Sequence, residues 1–261
     1  MKHFINLKDI PAKDLRKIII DAKKRKSARK RLNHLEVDKG SPLKGKLLIQ
    51  MFEKSSLRTR LSFYLAIKQL GGSTLTLRSD ELHLSKGGES IEDTAKILSN
   101  FGNAFMLRTD SDKKLEEFKK HLSIPIINGL SPSSHATQIL SDVFTVEEIK
   151  KKPISKLNIT WVGDSNNVLN SLIAASIKFS FRLKIGCPKK YQPTKENLSK
   201  HPEYFFGDFG RISERYIDFY DFFLEKKNTT QCDKYWNCLH YCCGYSKRTK
   251  NNADYKEYRS K

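Results

Sequence analysis

Apolar and polar positions alternate in blocks along the first two hundred residues. Residues 12–32 are mostly Lys, Arg, Leu, Ile and Ala behind Pro11, which predicts a helix with proline near its first turn. The run Leu47-Leu48-Ile49-Gln50-Met51-Phe52 predicts a buried strand over 46–52. Residues 57–70 have helical spacing and stop at Gly71-Gly72. A strand is expected at 73–77. Ser90 and Asp93 form a capping box that opens a helix over 91–101. Further strands are expected at 104–107, 123–127, 156–162 and 182–186, and helices at 112–121, 134–150 and 166–179.

Strands that alternate with helices and are apolar throughout belong in parallel sheets covered on both faces. The pattern therefore predicts an α/β chain with two doubly wound parallel-sheet domains. The first spans 1–150. Lys150-Lys151-Lys152-Pro153 serves as the hinge, and a second domain begins over 151–200. This second domain is expected to be incomplete, because the character of the chain changes at residue 201. Residues 201–261 hold eight of the ten tyrosines and four of the five cysteines, but no valine, no methionine and one alanine. Strands of a parallel sheet need Val, Ile and Leu, so this composition predicts an irregular tail rather than a continued sheet.

Charge changes the picture less. The 261 residues carry a formal net charge of +20. That excess fits either a lysine-rich surface or attraction to anions, and the basic residues are spread too widely for charge to choose. No apolar run reaches the ~18 residues of a membrane span, and MKHFINLKDIPAKDL is no signal peptide. A cytoplasmic location is expected, with the cysteines reduced. Cys232, Cys238, His240, Cys242 and Cys243 could supply soft metal ligands, but their spacing fits no familiar zinc site, and no metal is expected.

Candidate chemistry collects where strands end. FEKSSLRTR at 52–60 closes one strand and opens a helix, placing Ser55, Ser56, Thr59, Arg58 and Arg60 around a helix N-terminus. Unpaired N–H groups there, with hydroxyls and forked guanidinium donors, suit a phosphate. The competing explanation is a charged helix start paired with Glu53. Arg108 ends the strand at 104–107. Ser134-His135-Ala136-Thr137-Gln138 follows the strand at 123–127 and a turn at 128–132. Asp164-Ser165-Asn166-Asn167 follows the strand at 156–162. Each has an ordinary explanation as a solvated strand end or a helix cap. Together they place polar groups at one sheet edge, where α/β sheets bind ligands.

These segments resemble those of the aspartate/ornithine carbamoyltransferase family. FEKSSLRTRLSF resembles its Ser-Thr-Arg-Thr-Arg phosphate motif, INGLSPSSHATQILSD its His-Pro-x-Gln segment, and WVGDSNNVLNS the Gly-Asp-x-Asn-Asn turn of the ornithine branch. ELHLSKGGESIEDTAKILS and the opening HFINLKDI are also similar to that branch, so the N-terminus is expected to be genuine. The resemblance covers about residues 1–200. It implies two α/β domains, a homotrimer, no cofactor, and transfer of a carbamoyl group from carbamoyl phosphate to the δ-amine of L-ornithine, as in arginine biosynthesis. By position it implies that Ser56, Leu57 (through its N–H), Arg58, Thr59, Arg108, His135 and Gln138 bind carbamoyl phosphate. His83 would reach the carbamoyl phosphate of a neighbouring subunit, and Asn167 would contact ornithine. Arg108, His135 and Gln138 would be the catalytic residues. The amine is itself the nucleophile, so donors that stabilise oxyanion charge suffice.

The sequence departs from the family pattern in three places. Leu57 replaces the first threonine of the phosphate motif, and Ala136 the proline after His135. The family's Ser-Met-Gly and His-Cys-Leu-Pro segments, which carry ornithine contacts, are absent from 201–261. An altered reading frame near 195–205 is the expected origin of the tail, which the coding DNA read in all three frames would test. Two alternatives to the enzyme stay open at this point: a non-catalytic carbamoyl-phosphate-binding remnant, and a basic nucleic-acid-binding protein.

Overall fold

A computed structural model describes residues 2–78 and 89–187 and the backbone of 206–207. His83 and the tail cysteines lie outside the described residues. The chain forms two compact units, residues 1–157 with 166–182, and residues 158–165 with 183 onward.

The first unit is built on a four-stranded sheet of β1 (Leu47–Phe52), β2 (Ser73–Arg78), β3 (Ala104–Arg108) and β4 (Ile126–Leu130), in the order β2-β1-β3-β4. All three pairings are parallel. The central strands are buried on both faces, as their unbroken apolar sequences require. Ile49, Met51, Phe105, Leu107 and Ile126 pack on one face against α3 (Ile91–Phe101) and α4 (Asp112–His121) through Ala95, Leu98, Leu115 and Phe118. Leu48, Phe52 and Met106 pack on the other face against Phe63 and Ile67 of α2 (Leu57–Gln69). The expected α/β class with parallel strands is what the chain forms.

Gln50 stands between Leu48 and Phe52 on this second face. It is fully buried, and neither of its amide atoms has a hydrogen-bond partner. An unsatisfied buried polar group costs about 1–3 kcal/mol. Gln50→Met, of similar volume, is therefore expected to stabilise the chain by about 1–3 kcal/mol, read as a raised denaturation midpoint in urea at unchanged slope.

Two elements differ from the sequence expectation by three residues or more. The first helix, α1, spans Ala12–Ala28 with Pro11 as its cap rather than running to residue 32. Beyond Ala28 the backbone tightens into the bonds Lys30 N–H to Ser27 O and Leu32 N–H to Arg29 O, and Arg25 and Arg29 both reach Asp38. β4 runs over Ile126–Leu130, three residues later than expected. Pro125 cannot donate to a ladder and sits just before the strand, while its carbonyl accepts from Phe105 N–H. Phe4 pairs with Ile127 and exchanges bonds with Ile126 and Asn128, so the N-terminal segment covers the outer edge of β4 and prolongs it. The residues expected as a turn, Asn128-Gly129-Leu130, thus belong to the strand. A register shift opposite Leu107 and Arg108 makes room for Gly129, where a Cβ would lie 2.5 Å from the Sδ of buried Met106.

Helices α5 (Ala136–Lys150) and α6 (Asn167–Phe179) pack together, and both touch α1. Glu147 on α5 is buried and accepts from Arg16, Lys23 and Ile154 N–H at 2.7, 2.6 and 3.0 Å. This ties the end of α5 to α1. In the second unit, β5 (Asn158–Val162), β6 (Arg182–Gly186) and β7 (Phe206–Gly207) form a sheet in that order. Cys187 is a free, buried thiol whose pKa is pushed up to about 11, first by burial and then by Asp164. Among the described residues no helix is long and apolar enough to cross a membrane, and no group of side chains is placed to hold a metal ion.

Candidate active site

The sequence FEKSSLRTR forms the link between β1 and α2. Ser56 is the N-cap: its hydroxyl accepts from Thr59 N–H at 3.4 Å and donates to Thr59 Oγ1 at 2.9 Å. The capping bond is satisfied within this pair, while the first-turn N–H groups of Leu57 and Arg58 have no acceptor within the helix. Leu57 is 74% exposed, so only its backbone belongs to the cradle. Arg58 is also exposed. Arg60 turns away to stack over the ring of Phe52, 5.3 Å from its centroid.

The competing explanation for these arginines, ion pairing with Glu53, is not what forms. Glu53 accepts from Thr109 Oγ1 and Lys114 Nζ, and its own N–H donates to Arg108 O at 3.0 Å. The ends of β1 and β3 are thereby tied together.

Arg108 is the centre of the arrangement. It is 8% exposed, and its Nη1 donates to Thr59 Oγ1 at 3.2 Å. Its Nε is buried without a partner, and no carboxylate among the described residues pairs with it. A buried cation without an acid is costly, and an anion would relieve that cost.

His135 is the N-cap residue of α5, 4% exposed, with φ −133° and ψ 60°. Its imidazole makes no capping bond, and its Nδ1 lies 3.5 Å from Thr137 Oγ1 in the first turn of the helix. Its pKa is lowered to about 4, first by burial and then by the nearby charge of Arg108. The ring is neutral at neutral pH, where it can donate from one nitrogen and accept at the other. Gln138, one turn on, donates from Nε2 to Asp142 Oδ1 at 2.9 Å, which fixes its amide. Asn167, at the start of α6, donates to Ser131 O at 2.8 Å.

The structure thus joins Ser56, Thr59 and Arg108 directly, brings Arg108 within electrostatic reach of His135, and links Asn167 to the segment that precedes His135. Sequence reading missed Glu53 as a brace, Asp142 as the partner of Gln138, and Ser171, which accepts from His135 N–H at 2.8 Å. Ser171 carries a faint signal: a hydroxyl one turn after Asn167 and next to Asn170, on the same side of the helix.

Residues 2–148 match the family model described as the aspartate/ornithine carbamoyltransferase carbamoyl-P binding domain. The chain belongs to this family. Residues 155–215 match the companion model, the Asp/Orn binding domain. The ornithine carbamoyltransferase of Brucella ovis is 42% identical over 198 residues, which are 76% of this chain and 61% of that protein. The Rhizobium meliloti enzyme is 43% identical over 198 residues, 63% of its length. Among solved structures, ornithine carbamoyltransferase from Burkholderia thailandensis superposes with a TM-score of 0.71 at 32% identity, covering 80% of this chain and 70% of that one. The Pyrococcus furiosus structure gives 0.69 at 34% identity, covering 78% and 66%. The chain spans about three fifths of the length of the curated relatives it matches.

Proposed function

We propose that this chain binds carbamoyl phosphate at the ends of β1 and β3 and transfers its carbamoyl group to the δ-amine of L-ornithine. The observation that carries the reading is Arg108: a buried guanidinium with an unpartnered Nε and no acid paired with it among the described residues, beside a capped helix N-terminus and a neutral imidazole. Residues 1–150 form the carbamoyl-phosphate domain and 151–200 the start of an ornithine domain, with a homotrimer as the working assembly.

The phosphate group sits against the N–H groups of Leu57 and Arg58, with Ser56, Thr59 and Arg58 around it. Arg108 spans phosphate and carbonyl oxygen. His135 and Gln138 hold the carbamoyl group. The amine nitrogen attacks the carbonyl carbon, the bond from that carbon to the bridging oxygen breaks, phosphate departs, and the amine proton leaves with it or to solvent. Arg108 and His135 stabilise the oxyanion that develops, in a site already arranged to do so.

Calorimetry with carbamoyl phosphate, followed by a colorimetric citrulline assay with ornithine, tests the proposal. Saturable binding and citrulline formation are expected. No binding at millimolar carbamoyl phosphate would end it. Binding without citrulline would select a second reading, a carbamoyl-phosphate-binding protein without turnover, which the lack of Ser-Met-Gly and His-Cys-Leu-Pro segments within residues 201–261 favours.

A further inference from the structure

Residues 131–135 lead from β4 into α5 in neither helix nor strand, and three of the five are buried while Pro132 and Ser133 are exposed. Ser131, Ser134 and His135 are 0, 2 and 4% exposed. Ser131 N–H donates to Ser134 O at 3.0 Å within the segment, and its other buried N–H and carbonyl groups need partners beyond it. Three side chains on one face of α6 supply them. Asn167 donates to Ser131 O at 2.8 Å, Asn170 to Ser133 O at 3.3 Å, and Ser171 Oγ accepts from His135 N–H at 2.8 Å. Positions 167, 170 and 171 are one helical turn apart and necessarily share a face. Ser171 is itself oriented: its hydroxyl donates back to Asn167 O at 3.0 Å and lies 3.3 Å from Ser134 Oγ. It is 1% exposed.

The front of the segment has other anchors. Asn128 Nδ2 donates to Ser131 Oγ at 3.1 Å, and Ser133 Oγ to Asp112 Oδ1 at 2.8 Å. At His135 the main-chain donor goes to Ser171. The φ of this residue and the direction of its side chain follow from where that N–H is held.

We propose that α6 is a clasp that sets the position of His135, with Ser171 as the principal positioning residue and Asn167 and Asn170 as its supports. Asn167 then serves the site by holding the backbone ahead of His135. The consequence for catalysis rests on the function proposed above, but the clasp itself does not. A buried irregular loop whose key donor is satisfied from a separate helix is rigid only while that helix is seated. Displacement of a catalytic group by about 1 Å is enough to cost ~10²-fold in rate.

The test compares Ser171→Ala, Ser171→Thr and Ser176→Ala in the full chain. Ser176 is a buried serine on the same helix whose hydroxyl donates to Ile173 O at 2.8 Å, so it controls for general loosening of α6. Two readouts are taken. One is the NMR signal of the His135 imidazole in the unliganded chain, and the other is carbamoyl-phosphate affinity by calorimetry. Ser171→Ala is expected to move the imidazole resonances and to weaken binding roughly 10-fold. Ser171→Thr keeps the oxygen and is expected to restore both. Ser176→Ala lowers the melting temperature without moving either readout. Unmoved imidazole resonances in Ser171→Ala, or an equal effect of Ser176→Ala, overturns the clasp. If the parent chain shows no binding, the functional reading fails while the imidazole signal still decides the clasp. Should Ser171→Ala not fold, Asn170→Ala at a half-buried position is expected to shift the same resonances less, and no shift there overturns the proposal.

Discussion

Replacing Arg108 with methionine is expected to weaken carbamoyl-phosphate binding by about 10²-fold or more while leaving the unliganded chain as stable as before or more so. The two effects have one cause. Arg108 is buried, its Nε has no partner, and no carboxylate among the described residues faces it. Among the described residues nothing offsets its charge, which costs stability. When a dianion arrives, the same charge becomes the strongest single attraction in the site, and truncating one partner of such a buried pair costs about 2–5 kcal/mol of affinity. Methionine keeps most of the volume and removes the charge. Thr59 loses one bond from the guanidinium but keeps the donor hydroxyl of Ser56 at 2.9 Å, so the cradle should survive. Calorimetry and thermal melting on the same preparation separate the outcomes. A structural arginine would give the opposite pair: a clear fall in melting temperature with binding lost only through unfolding. That result would remove Arg108 from the anion site.

The candidate site is legible in the sequence at the level of residues but not of geometry. Buried strands announce themselves through runs such as LLIQMF, and a capping serine at a strand-to-helix link follows from local rules. Such rules therefore place Ser56, Thr59 and Arg108 at one sheet edge. What local rules do not contain is the route of long-range partners. Glu53 is two residues from Ser55 and was a natural candidate to pair with Arg58 or Arg60, yet its carboxylate goes to Thr109 and Lys114. That choice depends on the register of β1 against β3, which places Phe52 opposite Arg108.

The end of β4 is hidden for a similar reason. Asn128-Gly129-Leu130 carries turn chemistry, and only the added pairing from Phe4 and the bulge that needs Gly129 make it a strand. The role of Ser171 is non-local as well, since its acceptor oxygen meets a backbone donor thirty-six residues away. The helix itself was readable from its period, but its seat on the 131–135 segment was not.

Acid should destabilise the chain through His135 in a way that a variant can isolate. Burial first, and then the charge of Arg108, lower the His135 pKa from 6.5 to about 4. The folded chain therefore refuses a proton that the unfolded chain accepts throughout that window. Stability that depends on the neutral ring is complete above about pH 6.5 and drains away as pH falls toward 4. At 1.36 kcal/mol per unit, the contribution is about 3 kcal/mol. His135→Gln keeps a polar side chain that cannot titrate. Urea unfolding of both proteins at pH 7, 6, 5 and ~4 is expected to give curves whose difference grows by about 3 kcal/mol as pH falls, with the parent losing more. Other groups titrate in this range, but they are common to both proteins and cancel in the difference. The Arg108→Met background adds a second constraint. Without the guanidinium, the His135 pKa should rise part of the way back, because burial remains, and the difference between parent and His135→Gln should shrink. Parallel curves with no growing difference would mean that the ring titrates in the folded chain as it does in solvent. An imidazole so hydrated could not share a dry hollow with Arg108, and the catalytic assignment of His135 would fall with it.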